Sequence, residues 1–308
     1  MARRRRGDVI NGWLAIDKPL GMTSTQVVGA VRRIFNAQKA GHGGTLDPLA
    51  TGILPIALGE ATKTVPYVMD GTKVYTFTVR WGEETTTDDR EGAVVETSTK
   101  RPDRAAIEAA LPAFLGDLSQ VPPKFSAVKV DGQRAYDLAR SGEDVQLTAR
   151  IVRIDAFDLV DQPDADHACF RVVAGKGTYI RSLARDLSRA LGTVGHVAAL
   201  RRVACGPFRE DGAISLDKLQ ELGHSAAPME FLLPIETALD DIPAVALTGE
   251  EARRLSSGLP VSLLRVATRI PLSNVANGDT VRAMAEGRLV AVARIDGGEI
   301  RPVRVMNL

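Results

Sequence analysis

Apolar and polar residues alternate in several stretches of the chain, and this alternation predicts β-strands. The clearest case is residues 74–81, in which every second residue is aromatic or aliphatic and the intervening side chains are mostly threonine and arginine. The apolar face of this strand would consist of Tyr75, Phe77, Val79 and Trp81. Similar patterns predict strands at residues 13–17, 150–160 and 169–174, a short strand or turn at 53–58, and two or three short strands between 281 and 305.

Apolar residues at three- and four-residue spacing predict amphipathic helices elsewhere in the chain. Residues 24–35 show this spacing, and Thr23 or Ser24 can cap the helix that they form. In the helix predicted at residues 179–191, basic side chains recur every four residues and therefore lie on one side. These side chains are Arg181, Arg185 and Arg189. Further helices are predicted at residues 104–115 with a bend near Pro112, at 135–141, and in the segment GEEARRLSSG that begins at Gly249.

The order of these segments favours an α+β fold. Strands and helices are interleaved irregularly, and the alternating strand patterns are typical of antiparallel sheets covered by helices. We therefore expect a mixed, largely antiparallel sheet with helices around it. Past residue 240 the segments become short and are separated by glycine turns, which suits a small β-rich domain of about 65 residues. The expected organisation is a basic tail at residues 1–9, a large domain at 10–240 and a small domain at 241–308.

Composition narrows the class of protein. With 308 residues, of which 44% are hydrophobic, the chain can form a substantial core, so disorder is not expected. Cys169 and Cys205 are the two cysteines and do not form a CxxC pair, which argues against a disulfide framework and fits a reducing compartment. The histidines lack paired-ligand spacing, so no metal site is predicted. They are His42, His167, His196 and His224.

The N-terminus begins MARRRRG but is not followed by the apolar segment that a signal peptide needs. No stretch reaches the roughly 18 uncharged apolar residues that a membrane-spanning helix requires. We therefore expect a cytoplasmic, soluble protein without a membrane partner. The arginines from Arg3 to Arg6 would add nonspecific affinity for phosphate groups.

Charge is distributed unevenly, although the net charge is only +1. Residues 171–209 contain eight lysines or arginines and one acid, Asp186, whereas residues 83–103 contain seven acids and three bases. One face of the protein should therefore be basic and another acidic, an arrangement that orients a bound polyanion. The same pattern is also typical of a solvated helix face, and charge alone favours neither interpretation.

A glycine-rich segment contains the best candidate for a catalytic residue. In GHGGTLDPLATG, which begins at Gly41, Asp47 stands directly before Pro48, which removes a backbone donor and stiffens the chain. Gly41, Gly43 and Gly44 allow tight turns and the close approach of a ligand. The segment matches neither a P-loop nor a GxGxxG turn, and the chain has no GxSxG element. A hydrolytic pair of carboxylates would need a second acid from a distant part of the chain.

Five motifs, in the expected order, resemble those of the TruB family of tRNA pseudouridine synthases. They are WLAIDKPLGMTS, GHGGTLDPLATGILPIALGEATK, VYTFTVRWGEETTTDDREG, PPKFSAVKVDGQRAYDLAR, and GKGTYIRSLARDL followed by GHVAALRRVACGPF. The resemblance covers residues 10–240, and the remaining tail resembles the shortened PUA-type RNA-binding module of the bacterial members. It implies the pseudouridine synthase fold and an enzyme that isomerises uridine at position 55, in the T arm of tRNA, without a cofactor.

The resemblance also implies roles for single residues. Asp47 would be the nucleophile, and Arg181 would pair with its carboxylate and keep it ionised. Tyr75 would stack on the flipped uracil, a contact worth about 1 to 3 kcal/mol that offsets much of the cost of extruding the nucleotide. His42 would occupy the vacated space or contact the surroundings of the flipped base. Tyr179 and Leu200 would line the pocket.

Several alternatives stay open at the level of sequence. The strand pattern alone favours a core position for Tyr75, and Arg181 would also suit a phosphate clamp. Asp47 could attack the base, attack the sugar, or act as a base at the ribose. A non-catalytic RNA-binding factor and a guide-RNA-dependent relative within a multi-protein particle are the competing functions. Asp47, Tyr75 and Arg181 together favour the enzyme over the binding factor, and the single-chain organisation with its short tail disfavours the guide-RNA-dependent relative. We expect a monomer that needs no protein partner and whose C-terminal module contacts the acceptor end of tRNA.

Overall fold

The computed structural model describes residues 7–126, 129–130, 133–134, 147–223, 227–269 and 275–308. The arginines from Arg3 to Arg6, His224 and the helix predicted at 135–141 lie outside the described residues. Along the described residues we number the strands and α-helices in chain order. The strands are β1 (Gly12–Lys18), β2 (Ala40–His42), β3 (Ala50–Leu58), β4 (Lys73–Trp81), β5 (Glu83–Thr85), β6 (Val94–Thr97), β7 (Gly116–Gln120), β8 (Lys129–Val130), β9 (Gln133–Arg134), β10 (Arg150–Asp161), β11 (His167–Ala174), β12 (Gly195–Cys205), β13 (Phe208–Arg209), β14 (Ile214–Ser215), β15 (Ala244–Ala246), β16 (Val261–Ser262), β17 (Thr280–Ala285), β18 (Arg288–Asp296) and β19 (Glu299–Val305). The helices are α1 (Ser24–Ile34), α2 (Val65–Asp70), α3 (Arg104–Ala110), α4 (Ile180–Ala190), α5 (Leu216–Leu222), α6 (Gly249–Ser256) and α7 (Leu263–Ala267).

Ten of these strands form one mixed sheet. Eight of them follow the order β14-β1-β3-β12-β4-β11-β10-β7, while β2 pairs with β3 and β13 pairs with β12. The pairs β1–β14 and β3–β12 are parallel, and the other neighbours in the sheet are antiparallel. This largely antiparallel sheet, with helices packed against it, confirms the predicted α+β class.

The main core lies between this sheet and two amphipathic helices. The two helices bury aliphatic side chains in one continuous cluster with the sheet, namely Val27 and Val31 of α1 and Leu183 and Leu187 of α4. Phe77, Val79 and Trp81 of β4 are buried in the same cluster, as the alternation at 74–81 predicts. The two patterns, of period two and period 3.6, therefore meet in one apolar layer.

A five-stranded sheet in the order β15-β17-β18-β19-β16 forms the C-terminal part of the chain. This confirms the predicted small β-rich domain, while the boundary at residue 240 and the PUA-type assignment stay predictions. The small sheet is docked on the large one through a shared apolar cluster, which we call the joint core. The joint core includes Trp13, Ile53 and Phe208 from the large sheet, Ile235 and Leu239 from the connecting segment, and Leu289, Val292 and Met306 from the small domain.

β3 begins three residues before the short strand or turn predicted at 53–58, and Pro55 does not interrupt it. On one side of β3, β12 pairs with residues 50–52 and β2 pairs with residues 56–58, so Pro55 lies between these two segments, while on the other side it pairs with Ala15 of β1. A proline is tolerated at such a position because no ladder hydrogen bond needs its missing N–H.

β12 is an eleven-residue strand at the centre of the sheet that the sequence pattern did not predict. Its register against β4 shifts between Val197 and Ala199 and again between Arg202 and Ala204. Each bulge resets the alternation of inward and outward side chains, so the apolar residues of the strand do not follow a period of two. The strand matters for the site because it carries Leu200 and Arg202.

Candidate active site

Asp47 lies in the loop between β2 and β3, and the backbone on each side of it is anchored. The N–H of Leu46 donates to Ser24 Oγ at 2.8 Å, and Ser24 Oγ donates in turn to the carbonyl of Leu46 at 3.0 Å. The carbonyl of Pro48 accepts a longer bond from Lys18 Nζ at 3.4 Å. The Asp47 carboxylate is therefore presented from a backbone that is held at both neighbouring residues.

The buried side chain of Arg202 ties this loop to β3. It is 1% exposed, and its Nε donates to the carbonyl of Ile53 at 2.8 Å. Its Nη1 and Nη2 donate to the carbonyls of Thr45 and Gly44 at 3.3 and 3.1 Å. One guanidinium thus satisfies three backbone acceptors around the loop, which its fork of donors is suited to do.

Two of the three glycines that precede Asp47 are required by the geometry. A Cβ at Gly43 would lie 2.7 Å from Val68 Cγ1, closer than the packing allows. Gly44 has φ of +138°, a conformation that side chains with a Cβ rarely adopt. Gly41 has neither constraint, so the sequence-based explanation applies to Gly43 and Gly44 only.

Arg181, near the start of α4, links two carboxylates. Its Nη2 lies 2.9 Å from Asp47 Oδ2, and its Nη1 lies 3.4 Å from Asp89 Oδ2. The same two nitrogens donate to the carbonyls of Phe125 and Thr87, both at 2.9 Å. The Arg181 side chain is 5% exposed and that of Asp47 is 35% exposed, so the carboxylate opens toward solvent from a buried partner.

A cavity of about 270 Å³ lies in front of Asp47. Among its lining residues are Asp47, Tyr75, Tyr179, Arg181, Leu200 and Arg202. The fold thus brings together five of the six residues named from the sequence. The sixth, His42, is not part of the lining and instead ends β2, where its Nδ1 accepts the N–H of Gly44 at 3.3 Å.

Tyr75 both packs in the core and faces the cavity, while its stacking on uracil stays a prediction. It is half-buried, packs against the main core, and lines the cavity beside Arg202, its register partner on β12. Burial raises the pKa of Tyr75, and the nearby Arg202 guanidinium opposes this effect. Its phenol is therefore protonated at neutral pH.

Burial also governs the titration of two groups next to the loop. Burial lowers the pKa of Lys18 to about 8; the Asp47 charge acts against this shift and the Arg202 charge adds to it. Burial, with a further contribution from Arg202, lowers the pKa of His42 below its usual value. At neutral pH we therefore expect a charged Lys18 and a neutral His42 beside Asp47.

The arginines of α4 do not form the free basic face that the charge pattern predicts. Arg185 Nη1 lies 3.1 Å from Asp88 Oδ2, and Arg189 Nη2 lies 2.9 Å from Glu84 Oε1. Together with the Arg181–Asp89 contact, these pairs place residues 84–89 of the acidic segment against the basic helix. The prediction of one basic and one separate acidic face is therefore wrong for this helix, because each of its three arginines pairs with an acid of that segment.

Three side chains that build the site were not singled out from the sequence: Lys18, Asp89 and Arg202. Lys18 follows no periodic pattern, and its bond to the carbonyl of Pro48 spans 30 residues. Asp89 and Arg202 enter the sequence analysis only as single charges in the acidic and the basic run. The charge counts show that an acidic and a basic run exist, but they do not show that the two runs pair.

Two family sequence models match this chain. Residues 32–180 match the TruB family pseudouridylate synthase N-terminal domain, and residues 181–240 match the tRNA pseudouridylate synthase B C-terminal domain. A protein named tRNA pseudouridine synthase B from Rhodospirillum rubrum is 62% identical over 308 residues, covering all of both chains. The chain belongs to the TruB family. Another TruB protein with the same name, from Caulobacter vibrioides, is 56% identical over 309 residues, again covering all of both chains. Family membership makes the chain a pseudouridylate synthase and thus an enzyme.

Solved structures show the same fold at lower sequence identity. A Cbf5–Nop10–Gar1 complex contains a chain that is 26% identical, with a TM-score of 0.72, over 96% of this chain and 84% of that one. The archaeal box H/ACA Nop10–Cbf5 complex contains a chain that is 24% identical, with a TM-score of 0.73, over 99% of this chain and 92% of that one. The second comparison supports the fold alone.

Two further observations concern the described part of the TruB chain. None of its helices is long and apolar enough to cross a membrane. Its histidine, cysteine, aspartate and glutamate side chains do not come together in a group of three that could hold a metal ion.

Proposed function

We propose that this enzyme isomerises the uridine at position 55, in the T arm of tRNA, to pseudouridine, with Asp47 as the nucleophile. The names of the relatives from Rhodospirillum rubrum and Caulobacter vibrioides support tRNA as the substrate. The observation that carries the proposal is the distance of 2.9 Å between Arg181 Nη2 and Asp47 Oδ2. Arg181 is buried, whereas Asp47 opens on a cavity. A partly exposed carboxylate held by a buried guanidinium suits chemistry, whereas a surface that only binds a polyanion gains nothing from it.

The size of the cavity suits one flipped nucleotide. Its volume of about 270 Å³ lies just below the range of drug-sized ligand sites, so one nucleoside would enter and a stacked pair would not. Tyr75 would stack on the uracil for about 1 to 3 kcal/mol, which offsets much of the cost of flipping. Tyr179 and Leu200 would form the other walls, and His42 would stand near the vacated position.

The chemistry balances without an added reactant. The N1–C1′ bond breaks and its electron pair leaves with the uracil, which turns within the cavity. A C5–C1′ bond then forms, the C5 hydrogen leaves as a proton, and N1 takes up a proton, so the product is an isomer of the substrate. Asp47 would bond to the ribose, bond to the base, or take a proton from the ribose during this exchange, and it would release that bond or return that proton before the product leaves. All three routes need the carboxylate, and all three release the C5 hydrogen.

The small C-terminal domain would contact the acceptor end of the same tRNA. Residues 241–308 contain nine arginines and seven acids, and the joint core holds this domain against the large sheet. Binding of one tRNA both at the Asp47 cavity and at the small domain, which are held at a fixed separation, would orient the T arm toward Asp47. We expect the enzyme to act as a monomer, without an obligatory protein partner.

The decisive experiment compares the wild type with Asp47→Asn on an unmodified tRNA transcript that carries tritium at C5 of uridine. We expect Asp47→Asn to lose at least about 1000-fold in the rate of tritium release, as is typical when a nucleophile is removed. Asp211→Asn, at an exposed aspartate elsewhere on the surface, is the matched control and should release tritium at the wild-type rate. A transcript in which cytidine replaces the uridine at position 55 tests the position.

Each negative outcome has a distinct meaning. If Asp47→Asn turns over at the wild-type rate, Asp47 is not the nucleophile. If the wild type binds the transcript but releases no tritium, the chain is a binding factor. Release from the transcript with cytidine at position 55 would assign the activity to another uridine.

A further inference from the structure

A buried glutamine grips the backbone at the start of α4. Gln120, the last residue of β7, is 1% exposed. Its Oε1 accepts the N–H of Tyr179 at 2.8 Å, and its Nε2 donates to the carbonyl of Tyr179 at 3.2 Å. The side-chain amide thus pairs with both polar groups of one residue, as a neighbouring strand would.

Tyr179 is the residue directly before α4, where a helix needs partners for its free N–H groups. No side chain from Tyr179 itself caps the helix. The Gln120 amide instead bonds to the N–H of the N-cap residue, as the N3 side chain of a capping box does, but from a different element. Arg181 lies in the first turn of α4, and its Nη2 reaches Asp47 at 2.9 Å.

The residues that follow Gln120 continue this connection. The carbonyl of Val121 accepts from Ser182 Oγ at 2.8 Å and from Arg185 Nη2 at 3.0 Å. The carbonyl of Phe125 accepts from Arg181 Nη2 at 2.9 Å. The segment 120–126 therefore positions the first two turns of α4. Within this segment, the Gln120 side chain bonds to Tyr179 through both its Oε1 and its Nε2.

We infer that Gln120 is a positioning residue for the isomerisation, an inference that rests on the proposed function. It holds the start of α4 so that Tyr179 lines the cavity and Arg181 meets the Asp47 carboxylate. Gln120 does not line the cavity, so it acts through these two residues. A shift of about 1 Å at a catalytic group can cost about 100-fold in rate, so a loosened helix start should impair turnover more than binding.

The test uses Gln120→Met, which keeps the length of the side chain and removes both hydrogen-bonding groups. We expect the kcat of tritium release to fall about 10- to 100-fold, with KM within about 3-fold of the wild-type value. Gln162→Met is the matched control, because Gln162 is half-buried and also donates to a backbone carbonyl, that of Pro102 at 3.1 Å, far along the chain. It should keep the wild-type kcat. Thermal unfolding of both variants sets the temperature at which they are assayed fully folded.

A double-mutant cycle separates positioning from general destabilisation. If Gln120 acts through Arg181, Gln120→Met should cost much less in kcat on an Arg181→Lys background, because the group that it positions is already altered. Equal costs on both backgrounds would overturn the inference, and so would a folded Gln120→Met enzyme with wild-type kcat. A wild type that releases no tritium would overturn the proposed function together with this inference, whereas an active wild type with an unimpaired Gln120→Met variant would overturn the inference alone.

Discussion

Buried positive charge is concentrated around Asp47. Lys18, Arg181 and Arg202 are each 5% exposed or less. Backbone carbonyls hold all three side chains, and Arg181 also pairs with two carboxylates, so these groups need not move during a reaction. Preorganised charges of this kind favour negative charge that develops in the transition state. In the proposed reaction this is the electron pair that leaves with the uracil.

A second carboxylate, Asp88, gives a residue-scale prediction on pH. Burial raises the pKa of Asp88 to about 6, against the opposing effect of Arg185. Because the folded value lies above the ordinary value of 3.8, the stability contributed by protonated Asp88 is lost as pH rises through about 6. Asp88 has φ of +59°, which asparagine tolerates well, so Asp88→Asn removes the titration with little strain.

We expect the difference in free energy of unfolding between the wild type and Asp88→Asn to change with pH. From pH 5 to pH 7, the free energy of unfolding of the wild type should fall by about 1 kcal/mol relative to that of Asp88→Asn. Urea unfolding of both proteins at pH 5, 6 and 7 measures this difference. A difference that is constant with pH, or that changes with the opposite sign, would show that Asp88 does not titrate in this range.

At the scale of elements, the adjacent residues Thr23 and Ser24 at the start of α1 have two separate roles. Thr23 caps the helix in a capping box: its Oγ1 accepts the N–H of Gln26 at 3.2 Å, and Gln26 Oε1 accepts the N–H of Thr23 at 2.8 Å. Ser24 points to the Asp47 loop and bonds to both backbone groups of Leu46. The sequence predicts the helix cap at Thr23 or Ser24, but the bond between Ser24 and the Asp47 loop depends on a contact across 22 residues.

These adjacent residues form a matched pair of variants. Thr23→Ala should lower the free energy of unfolding by about 1 kcal/mol and leave kcat unchanged, because it removes only the cap. Ser24→Ala should lower kcat by about 10-fold or more, because the backbone next to Asp47 loses its anchor. Tritium release and urea unfolding on both variants check this division. Equal kcat for the two variants would mean that Ser24 does not position the loop.

At the scale of the whole molecule, the joint core connects the two sheets. Lys63 Nζ also donates to the carbonyl of Val305 at 2.7 Å, and the N–H of Asn307 donates to Glu60 Oε2 at 2.7 Å. The last strand is thus tied to the segment after β3 by polar as well as apolar contacts. A small domain held in this way should unfold together with the large one rather than before it.

Leu289 tests this coupling. It is 1% exposed in the joint core, so Leu289→Ala should lower the free energy of unfolding by about 2 to 5 kcal/mol. Leu264→Ala, at a position that is 74% exposed, should stay within about 0.5 kcal/mol of the wild type. We expect calorimetry to show one transition for the wild type and for both variants. Two transitions, of which Leu289→Ala shifts only one, would contradict the coupling.

The strands and helices with a clean period were predictable, and the others were not. β4 and α1 follow their patterns closely, since each buries one face in the main core. β12 was not predicted because its two bulges break the alternation. The start of β3 at residues 50–52 was not predicted because alanine and glycine are depleted in strands. The pairing of the acidic segment with α4 was also not predicted, because charge counts along the chain do not tell which charged segments will be in contact.

The sequence by itself determined the class of fold, the loop that presents Asp47, and, through its motifs, the family to which the chain belongs. These features are local, since a turn, an alternation or a motif needs only neighbouring residues. The tertiary structure alone decided which distant groups support the loop: Arg202 joins Gly44 across 158 residues and Gln120 joins Tyr179 across 59. The physical reason is that a buried polar group must find its partner in space, and no local pattern encodes where that partner lies.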